Sequence, residues 1–140
     1  MIRHAGYEDI EDIIVLCREF HNKSFYKGIP FSPNQCRNTI RGAIRDDTCC
    51  VLYSGTGFIA GAIRYTAFSA VPIAQEIAWF ATGADGFRLL VEYEEWVKSQ
   101  GVEVSTMTTV RNDMVDTERV FDLLVKRGYM PAERTLMKDV

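Results

Sequence analysis

Residues 76–101, EIAWFATGADGFRLLVEYEEWVKSQG, hold the spacing in this chain best suited to chemistry. An apolar run at 77–81 meets Thr82, Gly83 and Gly86, and apolar residues then recur at helical period. That is a strand, a tight glycine turn and an amphipathic helix. Unpaired N–H groups at a helix start, helped by the helix dipole, can hold an anion such as a phosphate, and glycine lets it approach the main chain. Two glycines between a strand and a helix are also the ordinary form of a plain connector, so the rest of the chain has to decide between the two.

A turn of this kind works only if a sheet carries it. Ile2 and Arg3 start a short strand, and the helix that follows places Ile10, Ile13, Ile14, Cys17 and Phe20 on one face before ending near His21. The 23–31 stretch mixes aromatic residues with Gly28 and Pro30 and reads as an ordered loop, suited to be one wall of a cleft. Ser32 and Pro33 form a cap and first-turn pair that starts a second helix, which stops by Asp46. Strands are predicted at 48–54 and 58–68, joined by a turn over 54–57 into a hairpin, and a third strand ends at Phe80. Helix 86–100 ends at Gly101, a strand follows at 102–110, a helix carrying Val120, Phe121, Leu123 and Leu124 ends at Gly128, and a last strand spans 134–140. The predicted order is β-α-α-β-β-β-α-β-α-β. Hairpins first and β-α-β units later imply an α/β (α+β) fold, a mixed central sheet with helices on both faces.

Composition narrows the function. A chain of 140 residues with 47% hydrophobic content suits a single domain over 1–140. Sixteen basic against 19 acidic residues, a net charge of -3, provide no basic stripe for nucleic acid. No apolar run reaches the roughly 18 residues of a membrane helix, and the start is polar from its third residue, so a cytoplasmic protein with no membrane partner is expected. Cys17, Cys36, Cys49 and Cys50 lack C-x-x-C spacing, and His4 and His21 are the only histidines, which argues against a metal and for reduced thiols.

The order and its motifs resemble the GNAT superfamily of acyl-CoA N-acyltransferases over essentially the whole chain. The opening Ile2-Arg3-His4-Ala5 with Glu8-Asp9-Ile10 is similar to that family's beginning. Gly57-Phe58-Ile59-Ala60-Gly61 looks like its hairpin return, and Leu89-Leu90 with Glu94, Trp96 and Gly101 matches the helix after its cofactor loop. Val125-Lys126-Arg127-Gly128-Tyr129 and the ending TLMKDV are similar to its terminal signatures. Two positions depart from the pattern. The loop Ala81-Thr82-Gly83-Ala84-Asp85-Gly86 lacks the leading Arg or Gln and has Ala84 at the first glycine position, and Leu124 stands where many relatives carry a general-acid Tyr.

The resemblance implies direct transfer of an acetyl group from acetyl-CoA to an amine. It makes Glu76 the base and assigns coenzyme A to Trp79, Phe80, Ala81, Gly83, Ala84, Asp85, Gly86, Phe87 and Arg88. The Asp85 charge opposes the diphosphate unless its side chain turns outward as a helix cap, and Arg88 offsets it in part. Tyr129 packs in the core, with a hydroxyl placed to substitute for the missing acid. His21, Tyr26 and Tyr65 are the substrate-side residues, for a small-molecule or protein amine. The acidic balance leans towards a cationic acceptor, and neither a monomer nor a homodimer is singled out. The rival implication is a GNAT-fold protein that has lost catalysis and serves in binding or assembly.

Overall fold

The chain enters its first helix through a buried carboxylate. In the computed structural model, which describes residues 1–140, strand β1 (Arg3–His4) leads through a 3₁₀ turn at Tyr7–Asp9 into helix α1 (Ile10–Lys23). The guanidinium of Arg3 donates to both oxygens of Asp9 (2.7 and 2.6 Å), and the Gly6 N–H adds a third bond at 2.8 Å. Arg3 is the main cause holding the Asp9 carboxyl below its ordinary range. Helix α2 (Pro33–Arg45) starts as its sequence predicts, with Ser32 Oγ accepting from the Gln35 N–H at 3.1 Å.

Strands β2 (Cys49–Tyr53), β3 (Gly57–Arg64) and β4 (Ile73–Ala81) follow, then helix α3 (Gly86–Ser99), strand β5 (Ser105–Thr106) and helix α4 (Thr117–Lys126). The sheet runs β1-β2-β3-β4-β5, antiparallel throughout except for the parallel β4–β5 pair. Gly55 makes the β2–β3 turn at φ 92, a conformation that favours glycine.

Pleating sends alternate residues to two cores. Val51, Tyr53, Phe58, Ala60 and Phe80 meet Ile13, Ile14 and Ile40 of α1 and α2. Cys50, Leu52, Ile59 and Ala74 meet Leu89, Tyr93 and Val97 of α3 on the other face. Helices therefore cover both faces. A bulge interrupts this alternation, because Ala60 pairs with Ala78 while Gly61 pairs with Glu76, leaving Ile77 without a partner on β3. It switches the parity of β4. Ala74 lies on the α3 face before it, and Trp79 and Ala81 pack there after it, while Ala78 and Phe80 turn to the α1–α2 core.

Three expectations are corrected. The predicted last strand at 134–140 does not form, so the element order ends at α4, and residues 130–140 make no backbone hydrogen bond. As a strand this segment would set Arg134 and Lys138 beside Leu136 and Val140 on one face, and Asp139 beside Met137 on the other. Neither face is apolar enough to hold it on a sheet. The strand predicted over 102–110 shrinks to β5, because the chain leaves β4 after Thr106, and β3 ends at Arg64 instead of 68. No helix is long and apolar enough to cross a membrane.

Candidate active site

The parting of β4 and β5 creates the site. Their pairing ends at Gln75 and Thr106, and Glu76 is the first residue beyond it. Its side chain is only 8% exposed, and its one hydrogen bond is a long one, 3.5 Å from the Thr108 N–H to Oε1. Burial pushes its pKa up to about 7 against an ordinary 4.5, and the Thr108 bond opposes that only weakly. A carboxylate that changes charge near neutral pH can take or release a proton under cellular conditions.

Across the ladder from Glu76 sits Gly61, and Tyr93 explains why it is glycine. A Cβ on Gly61 would lie 2.2 Å from the Tyr93 Oη, so the phenol fills the space a side chain would occupy. That places the hydroxyl beside Glu76, since cross-strand neighbours on one face are about 5 Å apart. The Tyr93 oxygen is buried with no hydrogen-bond partner, and burial, followed by the Glu76 charge, raises its pKa. Tyr93 is not among the site residues expected from the sequence, where its one signal is Gly61, a glycine inside a predicted strand.

β4 leads from this fork to the glycine turn. Thr82 docks the turn on the β2–β3 hairpin, its N–H and Oγ1 both donating to the Thr56 carbonyl (2.8 and 2.9 Å). The amides of residues 83–88 donate to no protein acceptor, and the first intrahelical bond at this end runs from the Leu89 N–H to the Asp85 carbonyl at 2.9 Å. Asp85 stands at the cap position but does not cap. Its carboxylate accepts from Thr56 Oγ1 (3.2 Å) and Arg88 Nη1 (3.3 Å), which draws it away from the free amides. Trp79 locks the helix start from below, its Nε1–H donating to the Gly86 carbonyl at 3.0 Å. Phe87 is 47% exposed, with the Arg127 guanidinium 5.2 Å from its ring centre. The turn is thus open. Phe80 differs from its neighbours because its ring is buried against Phe20 (5.4 Å), so only its main chain is offered to a ligand.

The remaining expected residues are dispersed. Tyr129 donates its phenol to Glu94 Oε2 at 3.1 Å, and Glu94 also holds Arg127. Burial and the Glu94 carboxylate push the Tyr129 pKa up to about 12. Its hydroxyl serves as a tie between α3 and the end of α4, and Leu124 is buried. His21 lies in the last turn of α1 and Tyr26 in the loop after it, with His21 Nε2 2.5 Å from the Ile29 carbonyl and the Ile29 N–H donating to the Tyr26 carbonyl at 2.9 Å. Tyr65 stands apart from both, 67% exposed just past β3.

No protein-family model and no curated protein matches this chain. Solved structures do. A transcriptional regulator from Bacillus halodurans superposes at TM-score 0.72 with 13% identity, covering 100% of this chain and 99% of the other. The aminoglycoside 6'-N-acetyltransferase AAC(6')-Ih from Acinetobacter baumannii superposes at 0.67 with 15% identity, covering 100% and 97%. A GNAT family acetyltransferase from Staphylococcus aureus gives 0.59 with 16% identity, covering 100% and 98%. Likeness at such low identity is likeness of architecture. The fold of this chain is that of the GNAT acetyltransferases.

Proposed function

We propose that the chain is an acyltransferase that moves an acetyl group from acetyl-CoA directly to a primary amine. The observation that carries this reading is the pairing, along one strand, of a buried carboxylate titrating near neutral pH at the β4–β5 fork with a row of free, open amides at 83–88. Residues 76 and 81 are separated by roughly 15 Å of strand, a distance suited to a pantetheine arm between diphosphate and thioester.

The residues present fit coenzyme A. The amides of residues 83–88 and the positive end of the α3 dipole would bind its diphosphate, and Arg88 adds a cation beside them. The β4 edge past the fork, from Trp79 to Ala81, would pair with its amide-bearing arm as an added strand. Bound acetyl-CoA would supply the activated thioester. Glu76 accepts the proton that an acceptor ammonium must lose before its nitrogen can act as a nucleophile. Tyr129 takes no part in this scheme, since its phenol is committed to Glu94.

Acetyl-CoA is expected to raise the melting temperature, by the equivalent of about 2.7 kcal/mol when present at a hundred times its Kd. Thiol release should follow when amines are added. An unchanged melting temperature at millimolar acetyl-CoA would remove the cofactor from this account.

A further inference from the structure

Tyr93 is the largest fully buried side chain of the molecule, and its one polar atom has no partner. Strand pairing fixes what surrounds that atom. Cys50 of β2, Gly61 of β3 and Glu76 of β4 are cross-strand partners in succession, so they form one row on the face that α3 covers. The phenol oxygen occupies the place of the absent Gly61 side chain, in the middle of that row. The other residues that α3 buries, Leu89, Leu90 and Val97, are apolar. A phenylalanine would fill the same volume, whereas a buried hydroxyl left unbonded destabilises the fold. Its acceptor has to come from the row. The Cys50 thiol accepts weakly, and burial keeps it protonated. Farther out, the Ser105 hydroxyl of β5 bonds the Tyr129 phenol, which is itself given to Glu94. The one member of the row that can carry charge at neutral pH is Glu76. No cation and no second carboxylate acts on it, and its only bond is the long one from the Thr108 N–H.

We infer that Tyr93 is the positioning residue of the base proposed above: once Glu76 is ionised, its carboxylate turns along the row and accepts the phenol's hydrogen bond. The inference rests on the acyl-transfer reading for what the carboxylate does, and on the geometry of the row for the bond. Directly opposed side chains of a sheet stand about 5 Å apart at Cβ, and a glutamate carries its carboxylate well beyond that atom. Rotation about its own torsions therefore brings an oxygen to the phenol with both strands in place. Burial, followed by the Glu76 charge, raises the Tyr93 pKa, so at neutral pH the phenol keeps its proton and acts as a donor. Oε1 already faces Thr108, which leaves Oε2 for Tyr93, and each oxygen retains a lone pair for the proton it must receive. A bond to the ionised form also offsets part of the burial that lifts the carboxyl, and so keeps the base ionisable inside a packed face.

Carbon-13 NMR of the whole protein, labelled at glutamate carboxyls and tyrosine Cζ, tests this without cofactor or turnover, with Glu76→Gln and Tyr93→Phe assigning the two signals. In the parent the Tyr93 signal should shift with the same midpoint as the Glu76 carboxyl, and Glu76→Gln should abolish that shift. Tyr93→Phe keeps the ring and should raise the Glu76 midpoint by about one to two pH units, the loss of one bond to a charged group. Tyr129→Phe removes a phenol bonded elsewhere and should leave the midpoint where it was. A Tyr93 signal indifferent to Glu76 overturns the inference, and it is read in the parent, independently of how any variant folds. A Tyr93→Phe midpoint equal to or below the parent's, or an equal rise in Tyr129→Phe, overturns it as well. Thiol release from acetyl-CoA on adding amines keeps the two readings distinct. Coupled titration without thiol release would sink the transfer and leave the bond standing, whereas Glu76-dependent thiol release with uncoupled titration would do the reverse.

Discussion

Residues 1–100 and residues 101–140 are held together by different means. The first region contains both apolar cores and every buried residue except Leu124. The second contributes a strand of 2 residues, a helix of 10 and a tail without backbone hydrogen bonds, fastened by the β4–β5 pairing, by Glu94 to Arg127 and Tyr129, by the main-chain bonds at Phe25 and Asp113, and by Val102, Met107 and Met114 packed at the edges of the two cores. Yet the proposed site uses both. Glu76 and the open turn stand on the packed region, while Thr108, whose N–H reaches Glu76, comes from the thin one. Groups whose protonation state and geometry must stay fixed are thus placed on elements held by a core, while the thin region adds a contact from a segment with little buried surface.

The strongest way to break this comparison is at Glu76. Glu76→Gln keeps the shape and removes the proton acceptor, and turnover should fall by about 10²- to 10⁴-fold. In the parent protein the rate should rise with pH through about 7, as the carboxyl loses its proton, and the variant should lose that limb. Stability should move the other way. The folded pKa lies above the ordinary 4.5, so between pH 4.5 and about 7 the native state holds a proton that the unfolded state has released, and stability declines as pH rises through that window. Above it the native protein carries a buried charge that the amide lacks, and Glu76→Gln should stabilise by up to about 3 kcal/mol. An equally active variant would remove Glu76 as the base, and a variant less stable at pH 8 would show that burial does not penalise its charge.

Gly61 tests the packing behind that carboxylate. Gly61→Ala drives a methyl into the Tyr93 ring and should destabilise by about 1–3 kcal/mol in chemical denaturation, whereas adding Tyr93→Leu should recover most of the loss. If the single substitution is neutral, the Tyr93 phenol is not seated over the glycine.

These two residues also show where sequence reading reaches its limit. Caps and terminating glycines such as Ser32, Gly101 and Gly128 are local chemistry, so the helices could be read directly from the chain, and two runs of strand-forming residues around the turn at 54–57 marked the hairpin. The bulge at Ile77 leaves no such mark. Strict alternation from Ala74 would have put Glu76, Ala78 and Phe80 on one face, and only the pairing to β3 shows that Glu76 faces α3 while Phe80 faces α1. Asp85 was legible as a residue at a helix start, but its direction depends on Thr56, 29 positions away. The terminal segment failed for a related reason, since a strand needs an available edge and an apolar face as well as strand-forming residues.

A smaller effect is expected at the turn itself. Asp85→Asn removes a negative charge beside the free amides while leaving an acceptor for Thr56, and should tighten coenzyme A binding by about two- to fivefold at low salt, fading as salt rises. Weaker binding in the variant would mean that the carboxylate's ties to Thr56 and Arg88 shape the turn more than its charge opposes the ligand.

The least effect on stability should come from removing residues 131–140. They are exposed throughout and make no backbone hydrogen bond, so their deletion removes little buried surface and leaves no buried group unsatisfied. Unfolding free energy should change by no more than about 0.5 kcal/mol. Coenzyme A binding, proposed for β4 and the start of α3, should stay as it was, because no residue of the tail is bonded to either element. A truncated protein that melts many degrees lower would show that the tail is packed as firmly as the first hundred residues, and the division drawn between the two regions would fail at the point where it is sharpest.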